Sequence, residues 1–120
     1  MTVSVEICLK GDHYATTEAI PGVVRDPRVW TDLDVRSVLE GMLQAMHRRK
    51  HPDDAAGQPI ALRGLSWIVS PFETGGVVIA IEITMGVAVA GPFAIDQTKL
   101  EAMIARVLVT PDAPSPPRVH

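Results

Sequence analysis

Between Val77 and Ala90 the chain holds fourteen residues in which large apolar side chains occupy every odd position. Val77, Ile79, Ile81, Ile83, Met85, Val87 and Val89 form one set; Val78, Ala80, Glu82, Thr84, Gly86, Ala88 and Ala90 form the other. Period-two alternation places the sets on opposite faces of a β-strand. A straight strand of this length would reach about 46 Å at roughly 3.3 Å per residue. That is more than twice a common strand. The run is therefore expected to bend at Gly86, or to pair its far half outside its first hairpin. The large-residue face demands a covering layer. The small-residue face suits close approach of a second layer.

Extended to Ile95, the same run is apolar enough to raise a membrane span, which three features oppose. Glu82 lies within it, and a central carboxylate costs about 2.5–3.5 kcal/mol on insertion. Gly91-Pro92 interrupts it, and its period is that of a strand. No membrane association is expected. A chain of 120 residues, 47% hydrophobic and 21% charged, fits one globular domain. That domain is expected over residues 1–110, with a disordered proline-rich tail at 111–120. The net charge of −3 argues against general binding to phosphate backbones. Cys8 is the single cysteine, so an internal disulfide is impossible. With no basic leader in the first residues, a reducing, cytoplasmic setting is expected.

Along the chain, Val3, Val5, Ile7 and Leu9 alternate with Ser4, Glu6 and Cys8 as a half-buried strand. Lys10-Gly11-Asp12 supplies a turn, and His13 to Ile20 reads as a return strand. Thr31 or Asp32 caps a helix in which Val35, Val38, Leu39, Met42, Leu43 and Met46 share one face. Trp30 and Val35 stand at hydrophobic-staple positions. Pro52 stops the helix, and 53–59 reads as a loop. Ile60 to Val69 reads as a third strand, joined to the long run by a loop at Pro71–Gly75. Asp96 caps a second helix whose stripe is Leu100, Met103, Ile104, Val107 and Leu108. The expected fold is α+β: a two-layer, mainly antiparallel four-stranded sheet with two amphipathic helices on one face, in the order ββαββα. Val38, Leu39, Met42, Leu43, Leu100, Ile104 and Leu108 are expected to be buried against Ile79, Ile81 and Ile83.

The hydrophobic phase changes near Gly64, which suggests one extra residue there. If Ser70 opposes Gly76, Trp67 meets Ile79 and Leu65 meets Ile81. A bulge at Arg63-Gly64 then places Leu62 against Ile83, and Arg63 against Glu82 on the small face.

Few residues point to chemistry. His47 and His51 could share a metal ion, with Asp53 and Asp54 completing the set. They belong, however, to the basic run His47–His51 at a helix C-terminus, where the helix dipole favours cations. No metal site and no cofactor are expected. The same run stands alone in an acidic chain, which argues against nucleic acid. His13 and Tyr14 offer a loop site for a small enzyme or ligand-binding domain, together with the Pro71–Gly76 turn. Nothing near Cys8 in sequence would activate its thiol. No phosphate loop or dinucleotide fingerprint is present, and no catalytic residue is assigned. The sequence favours a non-enzymatic interaction module that forms a homodimer or larger assembly through its sheet, with another protein as a possible partner. Arg63, Glu82, Thr84 and Ala88 are its candidate contact residues.

Overall fold

The structure is a computed structural model describing residues 3–20, 23, 25–50, 66–84 and 86–109. Its elements are β1 (Val3–Leu9), β2 (Thr16–Ile20), a 3-10 turn (Pro27–Val29), α1 (Asp32–Lys50), β3 (Ser66–Pro71), β4 (Val77–Ile83), β5 (Gly86–Phe93) and α2 (Gln97–Val109). The strands form one antiparallel sheet in the order β2-β1-β5-β4-β3. The α+β class and the two helices agree with the sequence. The strand count and order do not: among the described residues there are five strands, arranged ββαβββα. The long run is two strands because a straight one would outreach its partner. Its far half would then carry unpaired backbone groups.

The reversal between β4 and β5 decides the faces. Ile83 stands opposite Gly86, Ile81 opposite Ala88 and Ile79 opposite Ala90. Odd positions of β4 therefore share a face with even positions of β5. Ala88 and Ala90 are fully buried beneath the helices, while Val87 and Val89 lie half-buried on the other side. The single odd-numbered apolar face read from the sequence thus breaks at the turn. Gly86 permits this close passage. A Cβ there would strike the Cys8 carbonyl oxygen and lie 2.7 Å from the Leu9 Cα.

A second change of phase brings Phe93 inward. Val77 pairs with Phe93 and Ile79 with Ala90, so Gly91 and Pro92 both stand opposite Val78. This extra residue turns Phe93 to the helix side. There it meets Trp30 edge to face, with ring centroids 4.8 Å apart. The Trp30 indole N–H donates to the Arg25 carbonyl at 3.0 Å, so its burial leaves no donor unpaired.

Both helices start as their capping residues dictate. The Thr31 N–H donates to Asp34 Oδ2 at 2.8 Å, and the Val35 N–H to the Thr31 carbonyl at 3.1 Å. The Thr31 hydroxyl donates to the same oxygen at 3.1 Å, so the Asp34 carboxylate supplies one half of a capping box. In α2 the Lys99 N–H donates to Asp96 Oδ2 at 2.9 Å. The Gln97 amide reaches the Val69 carbonyl at 3.1 Å and ties this end of α2 to β3. Val38, Leu39, Met42, Leu43, Leu100, Ile104, Ile79 and Ile81 are buried as expected. Ile83 and Leu108 are partly buried against the same core.

The β3–β4 register differs from the sequence reading by two residues. Trp67 opposes Ile81, Val69 opposes Ile79 and Pro71 opposes Val77. The turn occupies 72–76, closed by a 3.0 Å bond from the Phe72 N–H to the Gly76 carbonyl. Because the shift is even, Trp67 and Val69 stay on the core face. Across from Glu82 stand Ser66 on one side and Val87 on the other, in place of Arg63. Arg63, the expected bulge at Gly64, the 53–59 loop and the 111–120 tail lie outside the described residues.

Gly41 was not singled out by the sequence, yet it lets α1 settle on β2. A Cβ there would overlap the Ile20 Cγ2 methyl, which belongs to a stiff β-branched side chain. Gly41→Ala gains about 1 kcal/mol of helix propensity but overpacks the contact at a typical cost of about 1–3 kcal/mol. Net destabilisation is expected in urea unfolding; a stabilised variant would mean that α1 can move away freely. Leu39→Ala, at a fully buried position, is expected to lose about 2–5 kcal/mol in the same assay.

Candidate functional site

Two helices cover one face of the sheet, and the pairing registers define the opposite face. One row crosses all five strands as Thr17, Glu6, Val89, Ala80 and Ile68. The neighbouring row runs Cys8, Val87, Glu82 and Ser66. On the other side of the first row lie the pairs Ala19 with Ser4 and Val78 with Ser70. Val78, Ala80, Val87 and Val89 are half-buried, and Ile68 is 59% exposed. They make a flat apolar centre with a polar border.

Two carboxylates flank that centre. Glu6 sits directly beside Val89, and Glu82 directly beside Val87. Cross-strand neighbours have Cβ atoms about 5 Å apart. Among the described strand residues this face carries no Lys or Arg; Lys10 follows the end of β1 in the adjoining turn.

The candidate contact residues separate. Glu82 is exposed on the outer face, and Thr84 is exposed in the β4–β5 turn. Ala88 is fully buried on the helix side and leaves the surface. Arg63 lies outside the described residues. The sequence reading missed Val87, Val89 and Glu6. Their signal is the Gly86 position: a reversal just before it swaps the faces of residues 86–90, until the extra residue at Gly91-Pro92 swaps them back.

The loop site proposed from sequence does not assemble as one unit. The 10–15 turn lies at the sheet end marked by Leu9, Gly86 and Ile83. The 72–76 turn lies at the opposite end, beside Val77 and Phe93. About 20 Å of strand separates them. His13 is exposed and Tyr14 is 81% exposed. His51, Asp53 and Asp54 lie outside the described residues. Among the described residues no cluster of three or more His, Cys, Asp or Glu could hold a metal ion.

Two shallow clefts flank α1. One has Ile20 and Gly41 in its lining, with Ser37, Glu40, Gln44 and Arg48. Arg48 is engaged with Glu18 at 3.2 Å. The other lies between the helices, lined by Trp30, Leu33, Met103, Asp32 and Arg106 among others. There Arg106 Nε and Nη2 donate to the two Asp32 carboxylate oxygens, both at 2.9 Å.

No known protein family, curated protein or solved structure matches the chain. The fold itself defines a class: a two-layer α+β domain with helices on one face of an antiparallel sheet and, among the described residues, no element on the other. Among the described residues no helix is long and apolar enough to cross a membrane.

The bond from Arg106 holds the Asp32 carboxyl below its ordinary value of 3.8. A carboxyl depressed by folding stabilises above its unfolded pKa and loses that contribution as pH falls through the folded one. The pair is exposed, so water and salt screen it and its contribution is small. Arg106→Gln is therefore expected to lower the urea midpoint slightly at neutral pH. The difference from wild type should vanish once the pH falls below the folded-state titration of Asp32. A difference that persists there would assign the effect to packing of the Arg106 stem.

Proposed function

We propose that this protein is a small interaction module that self-associates through the open face of its sheet. The observation that carries the reading is the apolar centre formed by Val78, Ala80, Val87, Val89 and Ile68, on which no described element packs. Antiparallel sheets often leave one face to water, but that face is then rich in polar side chains. Here the middle of the central strand is valine, beside alanine. Two such faces can stack about 10 Å apart with their side chains interdigitated.

Size favours an association that depends on concentration. Five strands spaced about 4.8 Å apart, with three rows of side chains, give a footprint of about 500 Å² per copy. A standard stable interface buries about 800 Å² per partner. The expected species is a reversible homodimer. The exposed free thiol of Cys8, on the same face, supports a reducing, cytoplasmic setting.

Sedimentation equilibrium tests the reading. The 12.9 kDa chain is expected to shift from monomer toward dimer with concentration. Val89→Asp, on the half-buried outer face, should abolish the shift with circular dichroism unchanged. A dimer indifferent to Val89→Asp would move the interface elsewhere. A monomer at every practicable concentration, with capture of a different protein by the same face, would replace self-association by a hetero-complex.

A further inference from the structure

We infer that Glu6 and Glu82 act as a like-charge brake on the association, and so decide which surfaces this face accepts. The inference rests on the self-association reading above. Glu6 is the cross-strand neighbour of Val89, and Glu82 that of Val87. The two valines stand two residues apart on the central strand, so the carboxylates bracket the apolar centre from opposite sides. A layer that covers both valines must also lie over both carboxylates.

Around Glu6 the face offers Thr17, Ser4 and Cys8; around Glu82 it offers Ser66, Ala80 and Thr84. None of these is a cation; Lys10 lies beyond Cys8 in the adjoining turn, outside both sets. A second copy brings the same set, so the dimer holds four carboxylates around one apolar contact. Removing charges from water without opposite partners is costly, and like charges across an interface oppose it further. Apolar burial favours the dimer while charge restrains it. A surface with the same apolar centre and basic flanks would meet the attraction without the brake.

Charge substitution separates the two effects. Glu6→Gln/Glu82→Gln keeps shape and removes charge; its homodimer is expected to be at least about tenfold tighter than wild type at neutral pH. Glu6→Lys/Glu82→Lys should associate poorly alone. Mixed with wild type, it should form a one-to-one heterodimer at least about tenfold tighter than either homodimer, weakened by added salt. Fluorescence transfer between differently labelled chains reads both results. If wild type dimerises through Val89 but the glutamine variant is no tighter and the mixture is statistical, the brake is refuted and self-association stands. If wild type, glutamine variant and mixture all remain monomeric, both readings fall.

Discussion

The pairing of β5 between β1 and β4 is the contact on which the rest depends. β1 belongs to an N-terminal hairpin, and β4 to a C-terminal meander. Each would expose a hydrophobic face and a row of unpaired backbone groups alone. β5 satisfies both edges and merges the two faces into one floor beneath the helices. Its pairing also imposes a steric condition at Gly86, where the Cys8 carbonyl approaches too closely for any side chain. The two ends of β5 are thus handled differently: a glycine lets it enter beside β1, and an extra residue turns Phe93 inward at its exit.

The floor is uneven, and the helices follow its relief. Under the helices β5 presents alanines, flanked by Ile79 and Ile81 on one strand and Val5 and Ile7 on the other. α1 packs over β5, where the alanines leave room for its large side chains, and α2 packs over β3. Gly41 gives the same relief where α1 passes Ile20. Trp30 and Phe93 close the core at the start of α1, and the Asp32–Arg106 pair spans the two helices outside it. That pair lies in water and adds orientation more than stability.

The reversal that puts alanines inside puts valines outside. One local event, a turn between Ile83 and Gly86, therefore creates both the helix-bearing floor and the apolar centre of the open face. The two surfaces are coupled through the same central strand. Substitutions meant to alter the outer face must keep the alternation that serves the inner one. The acidic flanks have a comparable double effect. They keep an apolar sheet hydrated while the chain is alone, and under the proposed association they would oppose a surface that brings more negative charge.

The sequence by itself determined the local order. Alternation at Val3–Leu9, the helical stripes of α1 and α2, the caps at Thr31 and Asp96 and the absence of a membrane-length helix among the described residues follow from periodicity and capping chemistry. These signals act over a few residues, so they are written in the order of the chain. Only the tertiary structure decided that 77–90 is two strands, that the β3–β4 register is shifted by two, and that Ala88 is core while Val89 is surface. Apolar alternation reads the same whether a strand continues or folds back, because both faces carry hydrophobic residues. The choice between them came from where the backbone groups of the far half could find partners, and those partners lie on β1, about eighty residues earlier in the chain.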